Sequence, residues 1–267
     1  MKCSPSGGRL TWSIVGGVLE SLGRRGLVIS DRLAARFDPE RLEQCASFLT
    51  ANPHFFSEAD GSRILERHLF ESMVFADRVA GWLEEAGGRD VSRETILDVG
   101  SGPGLPGLLF ACLRSSPAVI LNDSSRRRLS RVEQGLDSVL RAFQGRLHFS
   151  YERVENLRGR YPLVVARAFL PFPYPVELVT HLQRPGDCVF LALGRDPETD
   201  ASRTHLQNLG YVSRETIALP ELDFLGHRSV KILLRKKQHQ KGYPRSWPIV
   251  QRELRARNAG DRDESRP

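Results

Sequence analysis

Apolar residues recur at helical spacing from Leu10 to about Gly88, then gather from Thr95 onward into short solid runs separated by amphipathic segments. In the first region, Asp38-Pro39-Glu40 reads as an N-cap, a proline at the first helical position and an acid in the first turn. Leu42, Cys45, Ala46 and Leu49 follow on one helical face. A longer helix is predicted over 63–85. Its stripe is Ile64, Leu65, His68, Leu69, Ser72, Met73, Ala76, Val79, Ala80 and Leu83, and Gly87-Gly88 ends it. The second region predicts strands at 95–99, 118–121, 147–151, 163–166 and 188–193. Helices are predicted at about 106–114, 125–143, 175–181 and 199–209. Two late strands, near 214–219 and 229–234, have no helix between them. Alternation followed by a hairpin predicts an α/β, Rossmann-like fold, with a mainly parallel seven-stranded sheet, helices on both faces and one antiparallel addition. The chain divides into a helical extension over 1–88, an α/β domain over 89–235 and a tail over 236–267. Residues 1–9 read as loose, and the tail as basic and flexible apart from a short helix at 247–257.

Charge sharpens this division. The 267 residues carry a formal net charge of +7. The segment from His227 to Pro267 holds 12 Lys/Arg and 4 Asp/Glu, or +8, so the rest of the chain carries about −1. A basic end on a near-neutral body suits an anionic partner such as RNA; a solvated tail that aids solubility is the alternative. Lys231, Arg235, Lys236, Lys237, Lys241, Arg245, Arg252, Arg255 and Arg257 are the expected phosphate contacts. Cys3, Cys45, Cys112 and Cys188 are scattered without C-x-x-C spacing, which argues against a disulfide framework or a metal site and fits a reducing cytoplasm. The apolar stretch at 10–22 is too short and too interrupted for a membrane span.

The most informative local feature is Ile96-Leu97-Asp98-Val99-Gly100-Ser101-Gly102-Pro103-Gly104-Leu105-Pro106-Gly107. An apolar strand ends on an acid and enters a glycine-crowded turn, where bare backbone N–H groups can approach a ligand. Gly102, Gly104 and Gly107 match G-x-G-x-x-G, the dinucleotide fingerprint, but a lone match is weak and Pro106 interrupts the helix start. The more natural register is Asp98-x-Gly100-x-Gly102-x-Gly104, an acid and three alternating glycines, which suits S-adenosylmethionine (SAM). That ligand carries a cationic amino-acid end and no pyrophosphate, so Asp98 is placed to hold its ammonium. The second strand ends in Asn122-Asp123, where an acid can accept both ribose hydroxyls. An ordinary helix N-cap is the alternative for Asp123. After the third strand, Val154 and Glu155 fall where an adenine edge would lie, with a solvated loop acid as the alternative for Glu155.

These segments together resemble one family. Leu97-Asp98-Val99-Gly100-Ser101-Gly102-Pro103-Gly104-Leu105-Pro106-Gly107-Leu108, the upstream Arg67-His68-Leu69-Phe70-Glu71-Ser72, then Asn122-Asp123-Ser124 and Ala166-Arg167-Ala168-Phe169, occur in the order found in the RsmG (GidB) 16S ribosomal RNA methyltransferases. The resemblance spans about Arg63 to Leu193. It implies a SAM-dependent methyltransferase fold and methylation of guanine N7 in small-subunit ribosomal RNA, with ribosomal RNA or the small subunit as partner. The protein is expected to be a cytoplasmic monomer without membrane or metal. Carried over by position, Gly100, Gly102, Gly104 and Asp123 fall at the cofactor site, Arg167 faces cofactor and base, and His68 lies near the entrance. Arg167 and His68 are therefore the candidate catalytic residues; a structural ion pair and a packed core histidine are their alternatives. Two departures stand out. The family's lysine after the fifth strand is replaced by Leu193-Gly194-Arg195, which displaces the charge by one residue, and Pro53-His54-Phe55-Phe56 stands in place of the family's N-[LI]-T. Three functions compete on sequence alone: the ribosomal RNA methyltransferase, a methyltransferase with another RNA position or a small-molecule or protein acceptor, and a non-catalytic RNA-binding protein that keeps a degenerate pocket.

Overall fold

The computed structural model describes residues 17–136, 143, 145–194 and 198–263; the expected loose start, residues 137–142 of one expected helix and Arg195 lie outside them. Seven strands form one sheet in the order β3-β2-β1-β4-β5-β7-β6: β1 (Thr95–Val99), β2 (Ala118–Asn122), β3 (Leu147–Ser150), β4 (Leu163–Arg167), β5 (Cys188–Leu193), β6 (Tyr211–Ala218) and β7 (Ser229–Arg235). β1 to β5 pair in parallel, and β7 is antiparallel to both β5 and β6. The expected α/β architecture is therefore present, with its single antiparallel strand inserted second from one edge. Chain order reverses between β1 and β4, so the carboxyl ends of β1, β2 and β4 border the crevice where open α/β sheets bind ligands.

Helices cover both faces. α1 (Val18–Arg24), α2 (Asp31–Arg36), α3 (Pro39–Ala51), α4 (Glu71–Glu85), α5 (Gly107–Ala111) and α6 (Arg126–Leu136) pack one apolar cluster. α7 (Tyr174–Val179) and α8 (Asp200–Leu209) pack the other, with Leu97, Val164 and Leu191 from the sheet. The N-terminal helices share their core with the sheet rather than forming a satellite. Phe75 meets Phe110 edge-on at 6.1 Å between centroids, and Phe48 lies where a side chain at Gly135 would sit.

Local signals explain several boundaries. The Asp38 carboxylate accepts from the Arg41 N–H at the start of α3. Thr199 and Ser202 form a reciprocal cap on α8, which ends on Gly210 at φ 83°. The helix expected over 63–85 is not uniform. A wide π-type turn over Leu65–Phe70 precedes α4, and it re-aims Arg67 and His68 relative to a continuous α-helix.

The largest departure is at the C-terminus. Where a flexible tail was expected, the Lys236 N–H donates to the Gly210 carbonyl at 2.9 Å and the Gln240 N–H to the Asn208 carbonyl at 2.7 Å. α9 (Trp247–Asp263) then packs through Val250 and Leu254, and runs longer than the expected 247–257. Two of the expected phosphate contacts are also buried. Lys231 and Arg235 are 0% and 1% exposed, because β7 is covered on both faces. The Lys231 ammonium pairs with Glu198 and sits 5.5 Å from the Phe172 ring, while Arg235 donates to the Thr180 carbonyl and lies over Tyr211. Arg245 is likewise committed inward, to Glu177. A strand presents alternate residues to opposite faces, so a cation in a strand covered on both sides must find an internal partner.

Candidate functional site

Asp98 is the fourth residue of β1 and has no solvent exposure. Its Oδ2 accepts the Gly107 N–H at 2.8 Å, and its Oδ1 has no hydrogen-bond partner. Burial pushes this carboxyl up to about 7, against the opposing pull of the Gly107 hydrogen bond and the Arg167 charge. A buried carboxylate oxygen without a donor is costly and calls for a cationic or hydrogen-bonding ligand.

The three glycines after β1 do different work. All have positive φ, at 69°, 56° and 92° for Gly100, Gly102 and Gly104. A Cβ on Gly100 would strike the Phe169 ring at 2.2 Å, and one on Gly104 would strike Leu108 at 2.7 Å. At Gly102 the nearest neighbour of such a Cβ is the Gly100 carbonyl oxygen at 3.9 Å, so the backbone there faces open space. That is a cradle a side chain would fill. The Gly102 N–H donates to Asp123 Oδ2 at 3.0 Å, and the Gly100 and Ser101 N–H groups both donate to the Asn122 carbonyl.

Asp123 unites its two sequence readings. Its Oδ1 accepts the Ser125 N–H at 2.7 Å, a cap-like contact, while Oδ2 holds the glycine turn. Arg128 approaches Oδ2 at 3.4 Å from a half-exposed position. A carboxylate has about four acceptor sites, so Oδ1 retains capacity for a ligand hydroxyl. Asn122, which the sequence motif includes without a role of its own, ties β2 to the loop after β3 by donating to the Ser150 carbonyl and to the Glu152 carbonyl, the latter at 2.9 Å. In that loop Val154 is 4% exposed and belongs to the apolar cluster, and Glu155 pairs with Arg153. Neither has a hydrogen bond or ion pair with Asp98, Asp123 or Arg167 among the described residues.

Arg167 ends β4. Its Nη1 donates to Glu71 Oε2 at 3.0 Å, and its Nη2 lies 3.5 Å from His68 Nδ1. The other Glu71 oxygen accepts from Arg228 Nε at 2.9 Å. The ion pair considered for Arg167 is thus present, beside the glycine turn rather than away from it: Ala168 adopts φ 52°, and Phe169 next to it covers Gly100. The His68 ring stacks on Phe56 at 4.3 Å between centroids. Burial, reinforced by the Arg167 charge, pushes the imidazole down to about 4, so it is uncharged at neutral pH. Its Nε2 is 3.5 Å from Asp60 Oδ2 without a hydrogen bond. The sequence pattern flagged Arg167, His68 and the Glu71 position, but not Asp60 or Arg228. Asp60 stands only a few residues before the Arg67–Ser72 motif and pairs with Arg67, but carries no pattern of its own. Arg228 lies far along the chain, so only folding brings it near.

Asp98, Gly100, Gly102, Asp123, Arg167 and His68 therefore converge at the carboxyl ends of β1, β2 and β4, whereas Gly104 faces the packed core. A cavity of about 1020 Å³ lies elsewhere, lined by residues that include Arg25, Leu27, Arg78, Trp82, Glu215 and Phe224. It shares no residue with this cluster, and several of its cations are neutralised by carboxylates in its own wall, as in Arg25–Glu66 and Arg78–Glu221. The strand-end cluster is the better candidate on chemical grounds. Among the described residues no group of three or more His, Cys, Asp or Glu could hold a metal ion, and no helix is long and apolar enough to cross a membrane.

Residues 49–216 match the family model described as rRNA small subunit methyltransferase G. A Ribosomal RNA small subunit methyltransferase G from Leptospira biflexa is 38% identical over 235 residues, covering 85% of this chain and 92% of that protein. One from Leptospira interrogans is 30% identical, covering 92% of this chain and 95% of its own. Among solved structures, the magnesium protoporphyrin IX methyltransferase of Synechocystis PCC 6803 with bound SAM superposes with a TM-score of 0.50 at 16% identity, covering 78% of this chain and 99% of that one. Its complex with SAH gives 0.52, covering 72% and 94%.

Proposed function

The chain belongs to the rRNA small subunit methyltransferase G family, and from that premise we propose how its residues perform the reaction. It is a SAM-dependent methyltransferase of 16S ribosomal RNA. The finer reading is that the methyl group goes to guanine N7, and that the cluster at the ends of β1, β2 and β4 holds cofactor and base.

The observation that carries the cofactor reading is the buried, unpartnered Asp98 Oδ1 on the strand that leads into the open backbone at Gly102. The donor set fits the cofactor. The buried Asp98 carboxylate receives its ammonium, Gly102 lets the chain approach it closely, and Gly100 and Gly104 set the turn that presents Gly102. Asp123 receives the ribose hydroxyls through Oδ1. Val154 and Glu155 border the adenine edge. SAM, when bound, supplies an electrophilic methyl group on a sulfonium.

Guanine N7 has a free lone pair, so no proton needs to leave before attack. The remaining demands are alignment and electrostatics. Arg167 meets them by offering guanidinium N–H groups to the O6 edge of the base or to a phosphate. Glu71 and the uncharged His68 hold that guanidinium in place, and His68 adds no charge near the sulfonium at neutral pH. Residues 89–235 form the SAM-dependent methyltransferase domain and act in the cytoplasm as a monomer, with the extension over 1–88 lending His68 and Glu71 to the site and 236–267 added at the C-terminus.

Transfer of labelled methyl from SAM to 30S particles or 16S RNA, followed by nucleoside digestion, tests the finer reading. Label in 7-methylguanosine is expected; label in any other nucleoside would refute the N7 assignment.

A further inference from the structure

The C-terminal segment lies beyond the family match, which ends at residue 216, yet it is built into the fold. Glu177 of α7, with no exposure, accepts from the Arg245 backbone N–H at 2.8 Å, from Arg245 Nε at 2.9 Å and from Arg245 Nη2 at 2.8 Å. His205 Nε2 lies 2.9 Å from the same carboxylate, and the Tyr243 ring packs edge-on to His205. Burial pushes Glu177 up, but the hydrogen bonds from Arg245 and His205 outweigh it and hold the carboxyl down to about 2. This latch fixes where the following helix begins.

That place is the ligand-binding edge of the sheet. The segment leaves β7 at the opposite edge, beside Gly210, and crosses α8 and α7. Trp247, the first residue of α9, lies under the Arg153 guanidinium at 4.9 Å. Arg153 follows β3 and pairs with Glu155, in the loop assigned above to the adenine edge. Farther along, Glu253 accepts from the Tyr174 hydroxyl at 3.1 Å, at the start of α7 just after the Arg167 segment. Both contacts lie on the carboxyl side of parallel strands.

On this helix Glu253 pairs with Arg245, which it shares with Glu177, and Val250 and Leu254 face inward. Arg252 and Arg255 are exposed and make no ion pair among the described residues. Arg255 lies eight residues from Trp247, roughly 12 Å along the helix axis. Lys236, Lys237 and Lys241, on the approach to α9, are likewise exposed and unpaired among the described residues. We propose that α9 is an RNA clamp: Arg252 and Arg255 take backbone phosphates of the ribosomal RNA strand a few nucleotides from the target base, and the Glu177–Arg245 latch holds them there. This rests on the reading of ribosomal RNA as substrate and adds where the chain grips it. Unpaired cations beside a site that must receive a polyanion gain affinity by counterion release, whereas cations already paired within the protein gain little.

The test uses the full chain carrying R252E/R255E, and in parallel R252K/R255K, assayed for methyl transfer to 30S particles and naked 16S RNA over a range of salt. The reversal variant is expected to raise KM for RNA roughly ten-fold and to flatten the log–log salt dependence by about 1.4 to 1.8, two phosphate contacts at 0.7 to 0.9 each. SAM affinity and melting temperature should stay at the wild-type values, and the lysine pair should retain most of the wild-type slope. An active wild type whose KM and salt slope are untouched by the reversal overturns the clamp and leaves the rRNA reading standing. Loss of SAM binding in the reversal variant also overturns it, by assigning α9 to the cofactor instead. A wild type that labels neither RNA substrate refutes the underlying reading itself.

Discussion

The two additions that flank the α/β unit both look basic in places, but they handle charge in opposite ways. In the N-terminal helices, arginines meet carboxylates of neighbouring elements: Arg25 pairs with Glu66, Arg36 with Asp77 and Glu84, Arg78 with Glu221. These helices bury Leu22, Leu42, Leu49 and Phe75 in the same core as β1 and β2, so they form a layer of the fold. The C-terminal addition commits Arg245 to the buried Glu177, as β7 just before it commits Lys231 and Arg235 inward, and it leaves Lys236, Lys237, Lys241, Arg252 and Arg255 without ion pairs among the described residues. Net charge therefore says less than how it is paired. Arginines already compensated within the protein have little left to offer a polyanion, and uncompensated ones remain available to it.

The largest effect that would sharpen this contrast is at the latch. Arg245→Ala leaves Glu177 buried with His205 as its remaining side-chain partner, and should cost about 3 kcal/mol or more in urea unfolding. A loss below about 0.5 kcal/mol would mean that the C-terminal arm is not anchored as described. At the site itself, Gly102→Ala places a methyl in the open cradle and strains a φ of 56°. SAM affinity should fall at least about ten-fold; unchanged affinity would remove Gly102 from the cofactor contact.

Acid should separate the two additions next. His68, beside the N-terminal layer, is held near 4 when folded, below its ordinary 6.5. The unfolded chain then binds more protons in that window, so stability falls as pH drops from about 6.5 to 4. The slope attributable to this residue is at most about 1.4 kcal/mol per pH unit. Glu177 is held near 2, below its ordinary 4.5, so the stability it adds persists above pH 4.5 and is lost only as pH falls toward 2. His68→Gln should flatten the upper window and leave the lower one unchanged; the reverse pattern would contradict the contrast. The smallest effect belongs to an exposed pair of the N-terminal layer. Arg24→Ala breaks its contact with Glu20 and should shift stability by no more than about 0.5 kcal/mol, with no change in KM for RNA.

Much of this was legible where the signal is local. β1 and β5 occupy the residues that their apolar runs marked, and Asp38 and Thr199 cap helices as such residues do. The glycine turn and Asp123 could be read because cofactor cradles need particular residues at short spacing. β6 begins at Tyr211, three residues before its expected start, because this edge strand is mostly exposed and its apolar alternation is weak. The π-type turn before α4 has no compositional mark. Lys231 and Arg235 were misplaced because a charged residue in a strand reads as surface until the helix covering it is known. In the Asp60–His68–Arg167–Glu71–Arg228 chain, Glu71 meets Arg167 across 96 residues and Arg228 across 157, and single-sequence spacing carries no trace of contacts that distant.

The central claim is that the Asp98 carboxylate, next to last in the first strand, receives the cationic end of SAM. Calorimetric titration of SAM into wild type and Asp98→Asn between pH 6 and 7.5 tests it most directly, below the range where the ligand's own amino group, near 8, would confuse the titration. The wild type should bind more tightly as pH rises, with proton release, because its carboxyl sits near 7 when buried and empty. The variant should bind at least about 100-fold more weakly and without that pH dependence. Equal affinity in both proteins, flat across the same range, would contradict the account.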